Sequence, residues 1–400
     1  MRGKAIPAAS GYLGAMLMVI AGGCNGLFSA SIPSVHPANA RVEAIEVLKK
    51  GSQSPNPFTR AHTIEALAAT LGVQAGEVYD AGLRDEDPAV RYAAAVAVGD
   101  VRYAPAKELL LTMAADKTVE TDRRVMPGVI YALYQLGNDE YAGQLGSLLF
   151  DAEQEVRANA AMAMGRMGEP SATGPLRSLQ AQETEDRVRL SIFEAQALLG
   201  DEASAYRLEG YARTTFLDMR LAAIAAMSQF PSPRGMAVMR QLSREKRNPP
   251  QVRVAAAGAL ARMGELDEAG LDLAIRSASR PRQALQKAPG KQEDVTEAQV
   301  DQLQQVTAIA LSYMHRSKSL DALYQLMQDD SADVRVAAAM GVLRLLPAPS
   351  SAQAEQPATA PQDQAQQAEQ AVETPTTAAD EPSEPAPETM PKLETSGAKE

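Results

Sequence analysis

Asp87-Pro88-Ala89-Val90-Arg91-Tyr92-Ala93-Ala94-Ala95-Val96-Ala97-Val98-Gly99 is the stretch on which the fold of this 400-residue chain turns. Its apolar residues recur three and four apart, at Val90, Ala94, Ala97 and Val98, the stripe of one helical face. The same pattern, a Val-Arg pair followed by an alanine-rich run and a glycine, returns at Val156-Arg157, Val188-Arg189 and Val252-Arg253, and again at Val334-Arg335 running to Leu346. Met219-Arg220 holds the same register, Arg60 begins a looser copy, and Val125-Met126 and Leu303-Gln304 begin copies without the arginine. The registers 60, 91, 126, 157, 189, 220, 253, 304 and 335 are spaced by 31, 35, 31, 32, 31, 33, 51 and 31 residues. Turn sequences such as Gly168-Glu169-Pro170 and Gly200-Asp201-Glu202 end each first helix. A second helix is predicted after it, as at Ala104 to Ala115, Tyr141 to Phe150, Ala203 to Thr215, Arg234 to Leu242 and Ser319 to Gln328. Neither helix can bury its stripe alone, so successive pairs must stack and share one core. Composition agrees: 45% of residues are apolar, only 4% are aromatic and tryptophan is absent, which favours close-packed helices rich in Ala, Leu, Val and Met.

The motif Asp-x-x-Val-Arg-x-x-Ala-Ala-x-Ala-Leu-Gly, at a period near 31 residues, resembles the short bacterial HEAT repeat, also called the PBS-lyase-type HEAT-like repeat, over residues 41–346. The resemblance implies an all-α chain, an α-solenoid of about nine helix pairs in a right-handed superhelix. It places the Arg-bearing helices on the convex side and the second helices on the concave side. At about 9 Å per repeat such a body would be roughly 80 Å long. The motif specifies fold and little of function, because the family serves as scaffolds, assembly factors and a few enzyme subunits.

The recurring Arg60, Arg91, Arg157, Arg189, Arg220, Arg253 and Arg335 read as a structural ladder. Acids in the preceding turns, such as Asp87, Asp218 and Asp333, can cap the helix and pair with an arginine of their own or a neighbouring repeat. An anion-binding ladder is the competing reading. If the second helices line a concave surface, Tyr103, Tyr141, Tyr206, Tyr211 and Tyr324 are the candidate partner-binding side chains, since tyrosine is favoured at interface centres. At helical spacing it is equally ordinary packing.

The ends and one interruption stand apart. Arg2 and Lys4 precede an apolar run from Tyr12 to Ile20, then Ala21-Gly22-Gly23-Cys24, with no acid before Glu43. This reads as a secretory signal over residues 1–23. Ile20-Ala21-Gly22-Gly23-Cys24 resembles the lipobox of bacterial lipoproteins, with Ala21 where that family usually has Leu, Val or Ile. The resemblance implies cleavage before Cys24 and lipid on this only cysteine, followed by a linker over 24–40; a signal cut near Ala30 and an uncleaved anchor are the alternatives. Val42, Ile45 and Leu48 mark an amphipathic helix expected to cap the stack. The 51-residue spacing places an insertion at about 277–296, locally basic through Arg280, Arg282, Lys287 and Lys291, which is either a binding loop or an excursion without a role. Residues 347–400 carry ten carboxylates against two lysines, which is −8 of the net charge of −11, and have no aromatic residue. Such a tail cannot offset its chain entropy and is expected to be disordered.

Little points to chemistry. The remaining charge is nearly balanced, which gives no basic footprint for nucleic acid. His36, His62 and His315 are far apart in sequence and form no His-x-x-x-His or His-Glu motif, so neither a metal site nor the metal-dependent hydroxylases built on related repeats are indicated. Phosphate-loop and serine-elbow motifs are missing from the sequence. The expectation is therefore a non-catalytic scaffold for protein partners with no cofactor and no small-molecule substrate, exported and lipid-anchored to a bacterial membrane, the outer membrane being permitted. The rival is an enzyme-associated subunit similar to the bilin lyase subunits that share this repeat, acting on a client protein.

Overall fold

The computed structural model describes residues 36–286 and 294–347. Among the described residues all regular structure is helical. Each repeat register falls in a first helix, in its first turn except in α17: α2 (Pro57–Thr70), α4 (Pro88–Val101), α6 (Met126–Gln135), α8 (Gln154–Met167), α10 (Asp186–Leu198), α12 (Leu217–Met227), α14 (Pro250–Arg262), α17 (Glu297–Leu311) and α19 (Ala332–Leu345). The second set is α3 (Gly76–Gly82), α5 (Lys107–Ala115), α7 (Leu145–Leu148), α9 (Thr173–Gln182), α11 (Glu202–Tyr211), α13 (Pro233–Arg244), α15 (Glu268–Ser279) and α18 (Ser317–Leu326). Several of these are short because a 3-10 turn precedes them, as at Ala104–Ala106 and Ala142–Gln144.

Local chemistry explains the boundaries. Asn56 and Asp87 cap α2 and α4 by accepting the N–H groups of Phe58 and Ala89 at 3.0 and 2.8 Å. Proline fills the first helical position of both. In several repeats the chain turns left-handed eleven residues after the register position, and Gly137, Gly168, Gly200 and Gly264 do so with φ between 75 and 94°. After α4 that position is Arg102, at φ 53°. A side chain there costs roughly 1 kcal/mol, so Arg102→Gly is expected to raise stability by about that amount, read as a higher urea midpoint at unchanged slope.

The first helices pack each on the next, and α19 packs back on α2, so the array closes into a ring. The first helix, α1 (Pro37–Gly51), lies on α19 and supplies the outer helix of the repeat that α19 begins. The expected cap is thus a closing segment. Its buried stripe is Ala40, Ala44, Leu48 and Gly51, while Val42 is 62% exposed. Across the seam Arg41 donates to the Leu346 carbonyl at 2.6 Å, the Tyr324 hydroxyl to Glu43 at 2.9 Å and the Thr59 hydroxyl to Asp333 at 2.7 Å. His62 Nδ1 lies 3.9 Å from the same Asp333 oxygen. Burial alone would depress the His62 imidazole, but Asp333 and Glu65 outweigh it and hold its pKa above the usual value. A single apolar core runs through the seam, joining Leu48 of α1 to Met340 of α19 and Val98 of α4.

Small residues set which layer is inside. A Cβ built on Gly165 would stand 2.6 Å from the Ala195 Cα, and one on Gly258 equally close to the Ala310 Cα, so α8 meets α10 and α14 meets α17 backbone to backbone. Helices that approach so closely form the short inner circumference. The second helices chiefly pack on the first ones and less on each other, as an outer layer must. The Arg-bearing helices are therefore the inner wall, opposite to the placement the resemblance implied, and the body is a ring, not a rod of roughly 80 Å.

In the insertion, α15 runs to Ser279, α16 spans Pro281–Leu285, and Arg282 donates to the Val295 carbonyl at 2.9 Å while pairing with Glu297. Lys287 and Lys291, the segment with Cys24, and the acidic tail from residue 348 lie outside the described residues.

Candidate functional site

The arginine ladder stands at the entry to the inner helices and, Arg189 excepted, is occupied by protein. Arg60 forks onto Asp85 at 2.8 and 2.6 Å, Arg91 onto Glu120 at 2.7 and 2.9 Å, and Arg157 onto Glu183 at 2.7 and 3.1 Å. In each case the remaining Nη1 donates to a carbonyl six residues earlier: Ser54, Asp85 or Asp151, at 2.9 Å. Arg335 repeats that carbonyl contact on Asp329 at 2.6 Å. Arg220 binds the Ala212 carbonyl and Asn248, and Arg253 the Ser243 carbonyl. The carboxylates used lie one repeat further along the chain. Of the turn acids named from sequence, Asp87 caps its helix, Asp218 accepts from Gln302 and Asp333 serves the seam. Although burial pushes the Asp85 and Glu183 carboxyls up, the arginine forks and backbone N–H groups hold both below the usual range.

The ladder lapses at Arg189. Its nearest acid, Asp186, is 4.0 Å away, and its buried Nε has no hydrogen-bond partner. Arg213-Thr214-Thr215 occupies the loop where an acid would be needed. The α10–α12 junction beside it is the loosest of the inner wall.

The five tyrosines do not form one surface. Tyr103 packs edge-on against Tyr79 at 5.9 Å and donates to Asp80 at 3.1 Å. Tyr141 is partly buried against both apolar cores. Tyr211 donates to Asp186 at 3.1 Å beside Phe193, and Tyr324 belongs to the seam. Tyr206 alone is well exposed, under the Arg234 guanidinium at 4.1 Å.

The lumen holds what the sequence reading passed over. Nine residues after the register position, where the inner helices end, stand Asp100, Arg166, Gln229, Arg262, Tyr313 and Arg344. Together with Glu65, Tyr131 and Glu194, four residues up the helices, they form a polar girdle. Tyr131 donates to Asp100 at 2.7 Å, Arg166 stands 3.8 Å from Asp100, and Gln229 donates to Glu194 at 2.9 Å. Arg262 donates to Ser228 at 3.1 Å, and the Arg262 and Arg344 guanidiniums flank the Tyr313 ring at 5.5 and 4.8 Å. A repeating position that turns polar within an otherwise apolar face was the available signal, visible once the copies are aligned.

Burial pushes the Glu65 and Glu194 carboxyls up to about 7, against the opposing pull of His62 and Arg166 on the first and of Arg166, Gln229 and Arg262 on the second. The native ring therefore holds a proton on Glu194 that the unfolded chain releases near pH 4.5. The stability tied to that proton is full below pH 4.5 and is lost as pH rises through about 7. Glu194→Gln is expected to match the parent near pH 4 and to exceed it at pH 8 by up to about 3 kcal/mol, measured by urea unfolding at both pH values.

Between α10, α12, α14 and α17 the lumen opens into a cavity of about 390 Å³. Leu190, Ala222, Ala225, Gly258, Val306 and Ile309 make its apolar middle, the girdle residues Glu194, Arg262 and Tyr313 one end, and Arg187, Asp218, Asp301 and Gln302 the other. Among the described residues no group of three or more His, Cys, Asp or Glu is placed to hold a metal ion, and no helix is long and apolar enough to cross a membrane.

Comparison with known families matches a HEAT-repeat model to residues 45–126, 122–198 and 142–227. Residues 45–227 carry HEAT repeats. The matched segments run from α1 to α12, and the inner and outer helices of the remaining HEAT-like array continue the same alternation to α19. No curated protein sequence matches the chain. The crystal structure of an engineered protein from a structural genomics consortium aligns over 79% of this chain and 96% of its own, at 16% identity and a TM-score of 0.27. So slight a likeness carries no argument.

Proposed function

We propose that this protein is a non-catalytic scaffold that binds another protein, held at a bacterial membrane on the exported side by lipid on Cys24. The observation that carries the reading is the closed ring of HEAT repeats, a fold commonly used for protein interaction, whose ladder arginines other than Arg189 are bound up in its own structure. Support for a docking surface comes from the rim at the entry to the inner helices. Successive repeats orient their first helices alike, so the residues just before or within their first turn share that rim. There Phe58, Phe150 and Phe216 are 39, 48 and 68% exposed, apolar side chains left for a partner to cover. The small residues before Cys24 support the anchor.

Intact mass and membrane fractionation beside Cys24→Ser test the anchor. The native protein is expected to lose 23 residues, gain acyl mass and sediment with membrane, and the variant to do none of these. Soluble, unacylated protein in both cases would sink it. Cross-linking in native membranes tests the scaffold: a specific partner should be captured by the parent and lost from Phe150→Ser/Phe216→Ser. The lumen cavity favours one second reading, a subunit acting on a client's prosthetic group, for which purified protein should carry stoichiometric pigment.

A further inference from the structure

We propose that the cavity between α10, α12, α14 and α17 binds a single-chain amphiphile with an anionic head, the alkyl chain lying in the apolar middle and the head at Arg262 and Tyr313. This goes beyond the scaffold reading and stands independently of it.

The shape sets the first condition. From Gln302 to Tyr313 the wall runs along α17 and the turn after it, about 16 Å of helix rise, enough for an extended chain of roughly a dozen carbons. A volume of about 390 Å³ is within the range of small-ligand sites. The chemistry of the middle sets the second. Ala222, Ala225 and Gly258 leave the space, Leu190, Val306 and Ile309 line it without a polar atom in their side chains, and Ser191 and Gln305 are the polar side chains at that level. A peptide entering there would bring N–H and C=O groups, each costing free energy without a partner, and helical walls offer no free backbone edge to pair them. An alkyl chain asks for no partner.

The two ends set the third condition, orientation. At the entry rim two carboxylates, Asp218 and Asp301, face one guanidinium, Arg187, which repels an anion. At the girdle two guanidiniums, Arg262 and Arg344, bracket Tyr313, and the adjacent carboxyl, Glu194, already accepts a hydrogen bond from Gln229. A carboxylate or phosphate monoester beside Tyr313 would take charge-assisted hydrogen bonds from the Arg262 fork, which lines the cavity, with the Arg344 charge adding attraction through its place against the Tyr313 ring. The cavity also lies where the ladder lapses at Arg189 and the wall is loosest, so an entering chain meets the least packing to displace.

Titration calorimetry on the full chain, with sodium laurate, lauroyl lysophosphatidic acid and dodecanol as probes, tests the assignment. Laurate or the lysophosphatidic acid should bind one per chain, and whichever is tighter identifies the head group. Ala222→Trp, which fills the middle, should weaken all three at least tenfold. Ala255→Trp repeats the test from α14, each variant first checked for a parental melting curve. Arg262→Gln should weaken the anions at least tenfold and dodecanol less than threefold. Absence of saturable binding by any probe, or binding unchanged in a folded cavity-filling variant, would overturn the site. Equal loss of dodecanol and laurate in Arg262→Gln would overturn the anionic head, and tighter binding of a leucine-rich decapeptide than of any amphiphile would overturn the ligand class. None of these outcomes depends on Cys24 or on a protein partner.

Discussion

Gly258→Val should destabilise the ring by at least about 3 kcal/mol, seen as a lower urea midpoint and a lower melting temperature. Glycine in a helix interior ordinarily costs up to about 1 kcal/mol against alanine, so any added side chain begins with a gain in propensity. Here that gain is overwhelmed. The new Cβ would stand 2.6 Å from both the Cα and the Cβ of Ala310. Because the obstacle is backbone, no rotamer change relieves it, and α14 and α17 must separate by about 1 Å to reach van der Waals contact. An open solenoid could take up such a shift by splaying. In a closed ring the displacement is carried to the α19–α1 and α19–α2 seam, where four polar contacts and the core around Leu48 must stretch. Gly174→Ala is the control: no atom lies within 4 Å of its Cβ position, so it should be neutral or slightly stabilising.

Arg91→Met should cost about 3 to 5 kcal/mol by urea unfolding, because the loss leaves a carboxylate buried without its counter-charge. Glu120 is that carboxylate, its side chain 1% exposed against 17% for Arg91. Both of its oxygens are held by the arginine, and the same guanidinium ties the carbonyls of Asp85 and Glu86. Deleting both charges in Arg91→Met/Glu120→Leu should recover most of the loss, since a buried pair replaced by apolar groups is often close to neutral. Arg189→Met gives the contrast within the same ladder. With its acid 4.0 Å away and exposed, and with a buried Nε lacking a partner, it should change stability by less than about 1 kcal/mol.

Sequence alone determined that this chain is an array of helix pairs. The evidence for it is local: the three-and-four spacing at Val90, Ala94, Ala97 and Val98, turn sequences such as Gly168-Glu169-Pro170, and the return of the helical pattern at nearly constant intervals. Helical periodicity and left-handed turns depend on neighbours a few residues apart, so one copy suffices to write them and nine to make them certain. Tertiary structure alone decided that the array closes, which layer faces inward and where its polar groups meet. Closure sums a small rotation at every junction, and no single repeat encodes that total. The seam joins residues some 300 positions apart, Arg41 with Leu346 and Thr59 with Asp333, which have no shared pattern. The direction of curvature followed from the close approach of Gly165 to Ala195 and Gly258 to Ala310, and placed the alanine-rich helices inside. The girdle of Asp100, Arg166, Arg262 and Arg344 looks like scattered helix-end charge when read along the chain. It becomes one site only because the ring brings those ends to a common centre, where burial raises the Asp100 carboxyl and Asp100 in turn holds the Arg166 guanidinium above its usual value against burial.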